Sequence, residues 1–200
     1  MNIIDIKEKL KKALTEKRYN HSISVADEAV RLAELYGYDK NKAYLAGLVH
    51  DCAKCIPYSE AVNMGCELDR ETLACPGVVH APVGAYVAEY EYGITDTEIL
   101  DAIRYHTVAR ENMTLLDKII YLADITEPYR DFDGVDKLRK LCNENIDLAF
   151  CEALRRSVVF NIEKGNIIHP NTLYAWNEMC IKNKQPIIGE SAYTICGKLP

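Results

Sequence analysis

Apolar residues recur every three or four positions along almost the whole chain, and no stretch alternates with the period of two that a half-buried strand requires. The repeat Ile3, Ile6, Leu10, Leu14 predicts a first helix over Ile3 to Lys17. A second runs from His21 to Tyr36 through Val25, Ala29, Leu32 and Leu35, with Gly37 placed as its left-handed stop. Asp39 is positioned to cap a third helix that carries the chain to His50. From Cys55 to Pro76 the pattern shortens, broken by Pro57, Gly65 and Pro76. A helix from about Val78 to Tyr92 ends at Gly93, and Thr95 with Glu98 predicts a capping box for the next. Leu115 to Ile125, Ile146 to Lys164 and Thr172 to Lys182 complete the pattern. The expected architecture is an all-α helical bundle over residues 1–184, followed by an irregular tail from Gln185 to Pro200.

Two hundred residues, 48% of them apolar, suffice for one well-buried core and are short for two domains. The net charge of -6, without a long block of either sign, argues against nucleic acid as a partner. Phosphate ligands stay open, because a metal and a few local cations can invert the field inside a cleft. Met1 to Lys12 carries charges every few residues, so neither a signal peptide nor a membrane span is expected there. Eight cysteines, Cys66, Cys75, Cys142, Cys151, Cys180 and Cys196 among them, stand in helical patterns where a small apolar residue would serve. They read as reduced thiols of a cytoplasmic protein.

The chemistry lies in polar residues set among apolar ones. Ala46-Gly47-Leu48-Val49 runs into His50-Asp51, and His21, His80, His106 and Asp124 have similarly apolar surroundings. Four of the five histidines are expected to precede or end helices. Imidazole and carboxylate groups cost several kcal/mol to bury as lone charges, so roughly six of them in one small domain ask for a shared compensating charge. A metal centre supplies it, and mixed nitrogen and oxygen donors suit iron, manganese or zinc.

The order His21, His50-Asp51, His80, His106, Asp124 resembles the HD-domain metal-dependent phosphohydrolases, which are helical proteins. The local strings narrow the likeness: Arg18-Tyr19-Asn20-His21-Ser22, His80-Ala81-Pro82-Val83-Gly84-Ala85, Arg104-Tyr105-His106-Thr107, Tyr121-Leu122-Ala123-Asp124 and Glu127-Pro128-Tyr129-Arg130-Asp131-Phe132. From about Ile6 to Trp176 the chain is similar to the YqeK family of symmetrical bis(5′-nucleosyl)-tetraphosphatases. That resemblance implies two divalent ions, iron first, with manganese or zinc left open by the residues. One ion would be held by His21, His50, Asp51 and Asp124; Asp51 would bridge to a second completed by His80 and His106. A carboxylate is the better bridge, having two oxygens where imidazole offers one nitrogen. A metal-bound hydroxide would then be available at neutral pH without a protein base.

The resemblance further implies cleavage of diadenosine tetraphosphate to two ADP. Asp51, Lys54 and Arg130 would take part in catalysis, and substrate would meet Lys54, Thr107 and Arg130 beside the ligands His21, His80, His106 and Asp124. Lys54 lies about one helical turn beyond the His-Asp pair, and Arg130 sits in a proline-flanked non-helical segment where its fork can hold two phosphate oxygens. Arg18 and Arg110 are secondary candidates or surface residues. His169-Pro170-Asn171-Thr172 reads as a helix start, whose unpaired N–H groups suit a phosphate or base. Cys52-Ala53-Lys54-Cys55 is a C-x-x-C without a second pair, read as small-residue usage. The chain has no G-x-x-x-x-G-K-[ST] or G-x-G-x-x-G motif, and His80-Ala81-Pro82-Val83-Gly84 lacks the Gly-Tyr-Pro signature of HD-type cyclic-dinucleotide phosphodiesterases. The competing readings are an HD-type nucleotidase acting on mononucleotides and a nucleotide-sensing module without chemistry. Oligomeric state, a dimer included, is left open.

Overall fold

A computed structural model describes residues 2–183, which form eleven helices and, among the described residues, no strand. The predicted tail at Gln185 to Pro200, with Cys196, lies outside the described residues.

The first expected helix ends four residues early and the second begins five residues early. α1 (Ile3–Ala13) stops at Leu14, and Thr15, whose hydroxyl accepts from Arg18 N–H, caps α2 (Glu16–Tyr36). The apolar register continues into Leu14, but the Thr15 cap prevails because it satisfies an otherwise orphaned donor. His21 is therefore one turn inside α2 rather than at its start. Gly37 does end α2, at φ 68°. Asp39 caps α3 (Lys40–Val49) through bonds from Asn41 and Lys42 N–H, and His50 is the residue that closes it.

Two single-turn helices, α4 (Tyr58–Ala61) and α5 (Arg70–Leu73), occupy the broken stretch. Cys66 and Cys75 fall in loops there, not on helices. α6 (His80–Tyr92) begins on His80 and ends at Gly93. α7 (Thr97–Tyr105) is capped by Asp96, which accepts from Glu98 and Ile99 N–H, so the expected Thr95–Glu98 box does not form. A capping box occurs instead at α8 (Leu115–Thr126), between Thr114 and Asp117. α9 (Val135–Glu144), absent from the sequence expectation, follows a left-handed Gly134; α10 (Ile146–Lys164) has the expected span and α11 (Pro170–Asn183) starts two residues early.

α2 is the axis of the bundle. It packs on α3, α8 and α9, while α7 bridges α3, α6 and α8, and α10 closes the far side against α8, α9 and α11. Leu32, Leu48, Ile103, Leu116, Ile119, Ile120 and Leu122 are fully buried between these helices. Each such side chain contributes roughly 1.5–3 kcal/mol by leaving water. The α2–α3 approach depends on Gly47: a Cβ there would stand 2.8 Å from Ala26 Cα and 3.2 Å from the Val25 carbonyl oxygen. Without that glycine, α3 could not bring His50 to the depth of the α2 histidine.

Candidate metal centre

Five helices deliver the six predicted ligand residues to one point. His21 comes from α2; His50 and Asp51 close α3; His80 opens α6; His106 closes α7; Asp124 lies in the last turn of α8. His50, Asp51, His80 and His106 are buried, and His21 and Asp124 nearly so.

The backbone orients the rings. His50 Nδ1 donates to the Gly47 carbonyl at 2.7 Å, and His106 Nδ1 donates to the Ile103 carbonyl at 2.7 Å. Each ring thus satisfies a carbonyl left open at the end of its own helix. With a proton held on Nδ1, Nε2 is the atom each ring points inward; despite its burial, Asp51 and Asp124 raise the pKa of His50, and a bound metal would take the place of its Nε2 proton. His21 uses a carboxylate for the same purpose: its Nδ1 lies 3.2 Å from Glu127 Oε1, leaving Nε2 2.9 Å from Asp124 Oδ1.

Asp51 faces two ways. Its Oδ2 is 3.5 Å from His50 Nε2 and accepts from Arg18 Nη1 at 2.7 Å; its Oδ1 is 3.1 Å from His80 Nε2 and 3.6 Å from His106 Nε2. The Nε2 atoms of His80 and His106 are 3.2 Å apart, and His50 Nε2 is 3.8 Å from Asp124 Oδ1. Two sets of donor atoms, His21–His50–Asp124 and His50–Asp51–His106, each lie within 4.8 Å of one another.

A metal fits this arrangement on the evidence of the donors themselves. His50 Nε2 and Asp51 Oδ1 are buried and make no well-formed hydrogen bond, although Oδ1 lies 3.1 Å from His80 Nε2 and Nε2 3.5 Å from Asp51 Oδ2; buried polar atoms so poorly paired are costly unless something else binds them. Burial alone would raise the carboxyl pKa of Asp51, but His50 beside it, with His106 and His80, holds it far below the usual range. Asp124 is likewise kept ionised against burial, by His21, His50 and Arg130. Burial pushes His80 down to about 4, so it is neutral and ligand-ready near pH 7.

Three cations ring the centre. Arg18 sits on Asp51, Arg130 donates through Nη2 to Asp124 Oδ1 and through Nε to the Asp124 carbonyl, and Lys54 Nζ lies 3.1 and 3.2 Å from the ring nitrogens of His80. Arg110 does not join them. It pairs with Asp101 and Asp117 at 3.0 Å each and covers the Tyr105 ring, so it is structural.

The His169 segment is partly used up. His169 Nδ1 accepts from Asn171 N–H, its Nε2 lies 3.1 Å from Thr72 Oγ1, and the Thr172 hydroxyl donates to the Val108 carbonyl. The N–H groups of Asn171 and Thr172 are thus engaged by His169, its ring and its carbonyl, rather than open to a ligand; Pro170 has none. His169 and Thr172 do line a cavity of about 290 Å³ with Thr107, whose Oγ1 is buried and unpartnered. Cys52 is buried and donates to the Gly84 carbonyl, while Cys55 is exposed; the pair is apart from the ligands in role.

Two residues escaped the sequence reading. Glu127 accepts from Ser24 Oγ and Tyr129 N–H besides meeting His21. Arg139, on the unpredicted α9, donates to the carbonyls of Thr126, Glu127 and Arg130 and so fastens the loop that carries Arg130. Glu127 stood inside a quoted string, but its burial follows from tertiary packing.

Paired histidine and aspartate ligands at the meeting of helix ends define the metal-dependent class of HD proteins. The HD domain family model matches residues 18–129, and the chain belongs to that family, whose hydrolases use divalent metals. It is 41% identical over 174 residues to a protein of Bacillus subtilis named "Bis(5'-nucleosyl)-tetraphosphatase, symmetrical", covering 84% of this chain and 92% of that one. A Staphylococcus aureus protein of the same name is 40% identical over 185 residues, with 88% and 94% covered. Among solved structures, a "predicted HD superfamily hydrolase involved in NAD metabolism" from Clostridium acetobutylicum matches with a TM-score of 0.88 and 42% identity, covering 91% of this chain and 98% of that one.

Proposed function

We propose that this chain hydrolyses dinucleoside polyphosphates, diadenosine tetraphosphate first among them, taking up one water and cutting the four-phosphate bridge in its middle to release two ADP. The observation that carries the reading is the cluster itself: four histidines and two aspartates from five helices meet in one buried site, with His50 Nε2 and Asp51 Oδ1 lacking well-formed hydrogen bonds. The names of the Bacillus and Staphylococcus relatives specify that reaction among those the cluster could serve.

His21, His50, Asp51 and Asp124 are assigned to one ion, and Asp51, His80 and His106 to a second. The two oxygens of Asp51, one toward His50 and the other toward His80, support its role as the bridge. Each compact donor set is two histidines and one carboxylate, a combination that suits iron(II), and iron is the proposed metal. When bound, the ions offset charge on the reacting phosphate and lower the pKa of a coordinated water from about 15.7 toward about 7. The protein's own part is to position and neutralise. Arg130 and Lys54 hold the phosphates from opposite flanks, Arg130 through the guanidinium N–H groups that Asp124 leaves free. Thr107 Oγ1 meets the nucleoside diphosphate in the cavity shaped by His169 and Thr172, with Pro170 and Asn171 supporting that turn.

Residues 1–184 are proposed as the hydrolase domain. No described helix is long and apolar enough to cross a membrane. A reducing cytoplasmic setting is proposed from the free thiols of Cys52, Cys55, Cys66, Cys75 and Cys142.

The test is metal analysis of protein purified without oxygen, followed by chromatography of the products from diadenosine tetraphosphate. Two irons per chain and ADP as the sole product are expected. AMP with ATP would overturn the symmetrical cut, and turnover confined to mononucleotides would establish the nucleotidase instead.

A further inference from the structure

A groove of about 1520 Å³ runs between α2 and the loop after α8, walled by α2 from Glu16 to Arg31 and by residues 127–132. At about 1.5 Å per residue, that side of α2 is about 22 Å long. The groove opens on one flank of the metal centre, since His21, Arg18 and Arg130 belong to its walls while reaching Asp124 and Asp51. Two smaller cavities open on the other flank. Lys54 and His80 line one of about 150 Å³, and Thr107 and His169 line that of about 290 Å³. No lining residue is shared between the groove and either of these.

A bridge cut in its middle carries a nucleoside diphosphate on each side of the cleavage point, so a single pocket accounts for only half of such a substrate. We propose that the α2 groove is the subsite for the second nucleoside diphosphate, an inference that rests on the symmetrical cut proposed above. Arg18 and Arg130 receive its phosphates where the groove meets the centre. Tyr129, 82% exposed, and Phe132, 38% exposed, offer aromatic faces to its base. Their loop is held in place by Arg139, so stacking on it requires little ordering. The acidic wall residues set the register rather than oppose it. Glu28 is neutralised by Arg31 and Glu127 is engaged by His21, while exposed Asp27 accepts hydrogen bonds from ribose hydroxyls; Glu16 and Asp131, the other two acidic wall residues, are exposed and stand beside Lys17 and Arg130 in the chain.

The test compares diadenosine tetraphosphate with adenosine 5′-tetraphosphate, which has the same phosphates and one nucleoside. In Tyr129→Ala and Phe132→Ala, the ratio of kcat/KM for the first to that for the second falls by about 5- to 150-fold, the equivalent of a base–aromatic stack of about 1–3 kcal/mol. Tyr129→Trp, which keeps a stacking face, restores the ratio to within about threefold of the parent, well inside the stacking effect. Both residues are exposed, so the variants fold. An unchanged ratio in both alanine variants, with kcat/KM for the two substrates lowered equally or not at all, overturns the groove assignment and leaves the hydrolase reading intact. Failure of the unmodified protein to release ADP from diadenosine tetraphosphate overturns both.

Discussion

Glu127→Gln isolates the effect of the carboxylate behind His21, a proposed metal ligand, because it keeps the size of the side chain and removes only charge and one acceptor. Glu127 accepts three bonds: Oε1 meets His21 Nδ1, and Oε2 takes Ser24 Oγ–H and Tyr129 N–H. Glutamine has one acceptor oxygen and an NH2 that only donates. If the oxygen stays on Ser24 and Tyr129, the NH2 confronts the Nδ1–H that His21 must carry when its Nε2 binds metal. If the amide flips, the Ser24 hydroxyl can turn to accept from the NH2, but Tyr129 N–H faces a donor. Either way a buried donor is left unmatched, which costs about 1–3 kcal/mol. The loss falls on the metal-loaded state in the first arrangement, so affinity at the His21 site drops roughly 10- to 100-fold, the range for outer partners of ligating histidines. Competition of the protein with a chelator of known affinity reads this directly, and circular dichroism confirms that the helices persist. Glu127→Gln with metal affinity within about threefold of the parent, below that range, would refute the argument that Glu127 sets the His21 tautomer.

Three further outcomes are expected. Gly47→Ala forces α3 away from Ala26, destabilises the fold by about 1–3 kcal/mol by overpacking, and weakens metal binding because the Gly47 carbonyl orients His50; urea unfolding and chelator competition check the two parts. Arg139→Lys cannot reach three carbonyls at once, so two bonds are lost and kcat/KM falls by about 1–3 kcal/mol equivalent, roughly 5- to 150-fold, with metal content retained in metal analysis. In metal-free protein, His80 titrates near 4 when folded and near 6.5 when unfolded. Over that window the unfolded chain binds a proton that the folded chain refuses, so stability is lost as pH falls from about 6.5 toward 4. His80→Gln flattens that slope in urea midpoints measured across the window.

The sequence by itself determined the helical class and the ligand types. Period-3.6 patterning over Ile146 to Lys164, the stops at Gly37 and Gly93, and Asp39 as a cap are local properties, and local signals survive folding unchanged. His50-Asp51 and the scattered His21, His80, His106 and Asp124 were legible because polar groups in apolar surroundings demand a partner. Competing local signals were harder: Thr15 and Asp96 took caps that the apolar register and Thr95 also offered, and α9 is short and strongly polar outside its buried Val135, Leu138 and Cys142. Only tertiary structure decided which carbonyl or carboxylate fixes each imidazole, since Glu127 reaches His21 across 106 positions of chain. It also separated the arginines. Arg18 and Arg110 look alike in sequence, yet one lands on Asp51 and lines the groove while the other is consumed by Asp101 and Asp117. A guanidinium is drawn to whichever unpaired carboxylate packing brings within reach, and that proximity is a property of helix packing rather than of spacing along the chain.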